Sequence, residues 1–304
     1  MFKYKADEVW VFDAEWVPDP LAGRVLYDLP VTATDREVVE VMWQRNGATE
    51  DDPMPYLKTI LCRVVSIAAV IRRATPDGDV KVLLHSLPTD TESPEACDEA
   101  AILSRFLTGV GHAKPQLVGY NSQAADLKIF MQRGIVRGIT AVDFCRRPEK
   151  PWEGKDYFVR GGDWHIDLKD VVSGWGRTTP SLHEIARLSG IPGKIGVDGQ
   201  QVAQMWLEGD LQRIVHYNEY DALTTYLVWL RIAYFGGFFS AQQYYQEQQR
   251  VRALIAEKIQ SPRYAHLMTY QEEWDRLRAL QPDYVPEPQD EEASEVAYQD
   301  DEMM

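Results

Sequence analysis

The sequence predicts an α/β protein built on a mixed β-sheet. Short apolar runs rich in β-branched residues alternate with segments whose apolar residues recur at helical spacing. A Pro-Asp-Gly-Asp turn at 76–79 joins two of the apolar runs into a hairpin. The order is strand, hairpin, helix, strand, helix and strand, followed by helices. This order is typical of a mixed sheet flanked by helices and differs from a repeated βαβ pattern.

Five strands and six helical segments are expected along the chain. The strands are expected at residues 9–12, 63–71, 80–84, 116–121 and 164–168. The helices are expected at residues 95–107, 123–133, 181–188, 202–207, 211–233 and 240–280. A proline-punctuated loop is expected directly after the first strand. Residues 23–60 show no clean period, so we interpret them as an insertion.

These elements predict a main domain at 1–239 that contains the insertion, a helical extension at 240–282 and an acidic tail at 283–304. Residues 285–304 carry eight acids and no Lys or Arg, a composition typical of a solvated, disordered end. Binding of a protein partner is the alternative function for this tail.

The net charge of −15 disfavours nucleic-acid binding, because contacts with the phosphate backbone dominate that affinity. Divalent cations bound at a site can nevertheless supply positive charge to a phosphate substrate. The three cysteines have no CxxC or zinc-ligand spacing, which argues against disulfides and structural zinc. The longest apolar stretch, 64–71, is shorter than the roughly 20 residues of a membrane span. We therefore expect a cytoplasmic protein with no membrane association.

Three groups of residues could carry chemistry. Asp13 and Glu15 follow an apolar run, and side chains two apart on a strand share a face. Two neighbouring negative charges at such a position are costly unless a bound cation neutralises them. The alternative is a strand end that simply reaches solvent. Asp126 lies near the start of a helix, where it could bind a metal ion. The alternative is that its negative charge stabilises the helix N-terminus through the helix dipole. Asn121 or Ser122 could be the N-cap of this helix.

Tyr217 and Asp221 form the third group. They stand at i and i+4, which places them on one face of a helix. A buried tyrosine bonded to a neighbouring carboxylate is also a common structural arrangement. His216 stands five residues before Asp221, and it is the alternative to Tyr217 if the chain enters the helix after it.

Taken together, these groups resemble the DEDD (DnaQ-like) 3′–5′ exonuclease superfamily, in its Tyr subclass. The segments around them are similar to predicted exonucleases related to the proofreading domain of family B DNA polymerases. These segments are VFDAEWVPD at 11–19, residues 117–130, HIDLKD at 165–170, SLHEIARLSGIPGK at 181–194 and DGQQV at 198–202. The resemblance covers about residues 9–233 and implies an RNase H-like fold for the main domain.

The resemblance also implies a mechanism. Asp13, Glu15, Asp126 and Asp221 would hold two divalent ions, Mg²⁺ or Mn²⁺, that clamp the scissile phosphate. Tyr217, or His216 as the alternative, would orient or deprotonate the attacking water.

The expected reaction releases nucleoside 5′-monophosphates from single-stranded or frayed DNA 3′ ends. An exoribonuclease and a non-catalytic interaction subunit are the alternatives. Trp16, Asn121 and Lys194 are expected to contact substrate, although an exposed loop lysine without such a contact is the more common role for a residue like Lys194. Trp16 stands where the family usually has Thr.

Overall fold

A five-stranded mixed sheet forms the centre of the molecule. The computed structural model describes residues 1–75, 77–150, 152–174, 178–196 and 199–280. The strands are β1 (Glu8–Pro18), β2 (Cys62–Ala74), β3 (Val80–Leu87), β4 (Gln116–Gly119) and β5 (His165–Asp167). Their order across the sheet is β3-β2-β1-β4-β5. β1 pairs antiparallel with β2 and parallel with β4, so the mixed sheet predicted from the sequence is confirmed.

Helices cover both faces of the sheet. They are α1 (Pro20–Tyr27), α2 (Asp35–Arg45), α3 (Glu99–Ala113), α4 (Asp126–Val136), α5 (Val142–Cys145), α6 (Leu168–Ser173), α7 (Leu182–Leu188), α8 (Val202–Leu207), α9 (Leu211–Phe235), α10 (Ala241–Lys258) and α11 (Leu267–Leu280). One apolar cluster joins a face of the sheet to α9, α10 and α11, and a second joins the other face to α3 and α4. The acidic tail expected at 283–304 lies outside the described residues.

The first strand differs from its prediction. A loop was expected directly after Phe12, but β1 continues to Pro18 because β2 pairs with it from Glu8 opposite Arg73 to Pro18 opposite Cys62. Asp13 and Glu15 therefore lie inside the strand and not beyond its end. A bulge interrupts the pairing after Glu15.

Two helices overlap the segment at 23–60 that was interpreted as an insertion, and α1 begins three residues before it. Pro20 occupies the first turn of α1, and the Asp19 carboxylate accepts the Leu21 N–H at 3.1 Å. α2 begins with a capping box, in which Thr34 and Glu37 satisfy each other's backbone N–H groups. Terminal signals of this kind define short helices whose apolar period is weak. Among the described residues, no helix is long and apolar enough to span a membrane.

Candidate active site

Two carboxylates of the candidate site come from β1. Val9 and Val11 on this strand pack into the apolar cluster that contains α9. Because side chains two apart share a face of a strand, Asp13 and Glu15 continue this row towards α9. Both keep part of their surface accessible from a cleft at the end of the row. The shared face predicted from the Asp-x-Glu spacing is therefore what the structure shows.

The third carboxylate comes from α9, which packs across β1 and β2. Tyr217 and Asp221 lie one helical turn apart, and a hydrogen bond joins their side chains. Both are at least nine-tenths buried. One oxygen each of Asp13, Glu15 and Asp221 lies within 4.8 Å of the other two. The fold thus brings together carboxylates separated by more than 200 residues.

Asp126 approaches the same cleft from the start of α4. Its Oδ1 accepts the Ala14 N–H at 3.1 Å, so the β1 backbone between the two other acids holds this carboxylate in place. The turn before α4 is compact: a Cβ on Gly119 would lie 2.5 Å from the Ser122 side chain. The Asp167 carboxylate accepts the Asn121 and Gln123 N–H groups and so fixes this turn.

The capping expected for α4 is wrong. The helix starts at Asp126 with Ala125 at the cap position, and no side chain caps it. Ser122 instead hydrogen-bonds His165 Nε2 at 2.9 Å, and Asn121 adopts a left-handed conformation with φ 65°. Asp167 also caps α6 by accepting the Lys169 N–H.

One cleft of about 340 Å³ contains all four carboxylates and Tyr217 along its lining. Desolvation and the neighbouring carboxylates raise the pKa values of Asp13 and Glu15 well above their usual range. Burial also raises the pKa of Asp126 to about 7, although the Ala14 N–H opposes the shift. Burial raises the pKa of Asp221 to about 6, opposed by the Tyr217 hydrogen bond and by Lys194.

Burial, followed by the charge of Asp221, raises the pKa of Tyr217, so this hydroxyl stays protonated and donates. The four carboxylates form one pocket in which the simultaneous ionisation of all of them is costly without a neutralising cation. An all-oxygen donor set of this kind suits a hard divalent cation such as Mg²⁺ or Mn²⁺.

The chain matches the model of a known protein family. The family model described as "predicted 3′–5′ exonuclease related to the exonuclease domain of PolB" matches residues 54–274. The chain belongs to this family of PolB-related exonucleases. The match includes Asp126, Tyr217 and Asp221. It begins after β1, so it does not include Asp13 and Glu15.

Solved structures include a similar protein. The family B DNA polymerase of the hyperthermophilic archaeon Pyrobaculum calidifontis aligns with 84% of this chain at 16% sequence identity and a TM-score of 0.42. The aligned part is 29% of the polymerase, so this chain spans less than a third of that protein. No curated protein matches the chain. The mixed five-stranded sheet flanked by helices agrees with the fold that the sequence predicts, and the family match is to PolB-related exonucleases.

Asn218 belongs to this candidate site but is not among the residues predicted from the sequence. It is fully buried, and its Nδ2 donates to Asp13 Oδ2 at 2.8 Å. Its Oδ1 accepts from Ser66 Oγ at 3.3 Å, and Ser66 pairs with Glu15 across β1 and β2. The amide thereby orients an acid on β1 from α9. The sequence offers no local signal for Asn218, because His216, Glu219 and Asp221 are polar neighbours in the same helix.

The remaining predicted site residues separate into two groups. Trp16, Asn121 and Lys194 line the cleft with the carboxylates. Gly193 allows the Lys194 loop to pack closely, since a Cβ there would lie 2.6 Å from His183 Nδ1. His216 points elsewhere: its ring stacks on His266, with the centroids 3.7 Å apart. The structure therefore brings Tyr217 to the cleft and leaves His216 outside its lining.

Proposed function

We propose that this protein is a metal-dependent 3′–5′ exonuclease that hydrolyses phosphodiester bonds at single-stranded or frayed DNA 3′ ends. The observation that carries the proposal is the meeting of Asp13, Glu15, Asp126, Asp221 and Tyr217 in one cleft. The family is one of predicted 3′–5′ exonucleases, and its relation to the exonuclease domain of PolB favours DNA over RNA. The expected products are nucleoside 5′-monophosphates.

The proposed cofactors are two divalent ions, Mg²⁺ or Mn²⁺. Asp13, Glu15 and Asp221 would hold one ion through their clustered oxygens, and Asp126 would contribute to the second. Such ions lower the pKa of an attacking water and stabilise the departing 3′ oxygen. The raised pKa values of these acids support the proposal, because the groups around them do not offset the cost of ionisation.

The side chains of the protein have separate tasks in this mechanism. The Tyr217 hydroxyl, held by Asp221, would orient the attacking water, because burial and the neighbouring carboxylates raise its pKa and favour the protonated form. Asn218 fixes the direction of the Asp13 carboxylate. Lys194 lines the cleft, and its ammonium group would contact a substrate phosphate there.

Labelled single-stranded DNA and RNA oligonucleotides, incubated with Mn²⁺, test the proposal. We expect stepwise release of mononucleotides from DNA, complete loss of release in EDTA, and loss in Asp13→Ala. Faster release from RNA would identify an exoribonuclease instead. Absence of chelator-sensitive release from both substrates would favour a non-catalytic subunit that binds a protein partner, with the acidic tail as the first segment to test.

A further inference from the structure

The segment between α2 and β2 builds one wall of the acidic cleft. Trp43 and residues 54–57 contribute to the cleft lining from this side. Leu57 packs against two apolar clusters and Trp43 is 8% exposed, so both ends of the wall are anchored. Tyr56 differs from them, because it is 77% exposed although it lines the cleft. A large ring that the fold positions at a polar cleft but leaves uncovered is a surface available to a ligand.

Tyr56 and Gly199 are close neighbours in the cleft lining. A Cβ placed on Gly199 would lie 3.8 Å from the Tyr56 hydroxyl. The volume of about 340 Å³ is at the lower end for ligand pockets and suits one nucleotide better than a base pair.

We infer that Tyr56 is a specificity-determining residue that stacks on the unpaired 3′-terminal base and restricts the site to single-stranded ends. This inference rests on the proposed exonuclease function. Every base has a π-face, so stacking on the ring accepts all four bases without sequence preference. The cleft volume of about 340 Å³ leaves little room for the paired base of a second strand.

Equilibrium binding tests the stacking separately from hydrolysis. The probe is a short 5′-fluorescein oligothymidylate, used intact or with an abasic 3′-terminal residue, and the protein carries Asp13→Asn to prevent cleavage. Removal of the terminal base is expected to weaken binding about tenfold, within the range that base–aromatic stacking supports. In the double variant that also carries Tyr56→Ala, both probes should bind with the same weakened affinity, because the two changes remove one contact.

Kinetics of the otherwise unmodified protein supply the second readout. Tyr56→Ala is expected to raise KM for single-stranded DNA about tenfold with little change in kcat, and to raise the activity on blunt duplex ends relative to single strands. Tyr56→Phe keeps the ring and should retain the wild-type KM. Trp152→Ala is the matched control, since Trp152 is 79% exposed and does not line the cleft.

The outcomes separate this inference from the proposed function. An equal binding penalty for the abasic probe with and without Tyr56→Ala would overturn the inference, whether or not the protein is a nuclease. An unchanged KM and an unchanged duplex-to-single-strand ratio in Tyr56→Ala would also overturn it. Base-dependent binding by a protein that releases no nucleotide would support the stacking contact and reject the exonuclease function.

Discussion

Replacing Asp126 by Asn is expected to stabilise the metal-free protein at alkaline pH. Burial raises the pKa of Asp126 from 3.8 to about 7, so its ionised form is costly in the folded state. Each pH unit corresponds to about 1.4 kcal/mol, which gives a cost of about 4 kcal/mol. Asn keeps an oxygen to accept the Ala14 N–H but buries a new amide group, at about 1–2 kcal/mol. The expected net gain is about 2 kcal/mol.

The sign of this effect depends on pH. The Asp126 carboxyl ionises near pH 4 in the unfolded chain and near pH 7 in the folded chain. Between these values the unfolded chain binds fewer protons, so raising the pH lowers the free energy of unfolding of the wild type relative to Asp126→Asn. We therefore expect the variant to be about 1–2 kcal/mol less stable than wild type at about pH 4, from the buried amide alone. It should be the more stable protein at about pH 8.

Urea unfolding in EDTA, followed by tryptophan fluorescence at both pH values, measures the difference. Glu40→Gln on the exposed face of α2 is the matched control and should show no change of sign. Asp126→Asn should also lose nuclease activity, so the carboxylate would trade stability for function. If the difference between Asp126→Asn and wild type is the same at both pH values, the carboxylate is not desolvated and the reasoning is wrong.

Three further predictions concern the same cleft. Mn²⁺ at about a hundred times its Kd should stabilise the wild type by about 2.7 kcal/mol in thermal unfolding. If Mn²⁺ stabilises Asp13→Asn by the same amount, Asp13 does not bind the ion. Asn218→Ala should raise the Mn²⁺ concentration needed for half-maximal activity, because Asp13 loses its buried hydrogen-bond donor. The rate at saturating Mn²⁺ should change less than this concentration does. An unchanged Mn²⁺ dependence would show that Asn218 does not orient Asp13. Tyr217→Phe should lower kcat about 10²-fold and His216→Ala should leave it within about twofold, so the reverse result would assign the role to the histidine.

The sequence predicted most of the sheet, and the face that paired site residues share, because both depend on short-range patterns. That the three groups meet at one site was implied by the family resemblance. Alternation along β1 and the i, i+4 spacing on α9 each fix which side chains share a face, whatever the rest of the fold does. The extent of β1 was harder to predict, since pairing with β2, and not the local sequence, carries the strand past Phe12 to Pro18. Strand ends are decided by partners that are distant in the chain.

Long-range contacts also explain the parts of the site that were missed. The role of Asn218 arises only when α9 crosses β1 and β2, and no local pattern distinguishes it from an ordinary polar residue in a helix. The wall at 54–57 follows a segment without a clean period, and the position of Tyr56 beside Gly199 depends on two segments about 140 residues apart in the chain. Spacing specifies which side chains share a face, whereas long-range packing specifies what surrounds them.

The contacts of α10, α11 and the segment between them indicate a structural role for this region. Five arginines of this region could form a basic track for nucleic acid, but each has a partner within the protein. The pairs are Arg250 with Asp79, Arg252 with Asp275, Arg263 with Ser86, Arg276 with Glu273 and Arg278 with Gln248. The segment between the two helices contacts α9 directly: the Tyr220 hydroxyl donates to the His266 carbonyl at 2.6 Å, and His266 stacks on His216. Because Tyr217 and Asp221 lie beside these residues on α9, the C-terminal helices support the candidate site by holding α9 against the sheet.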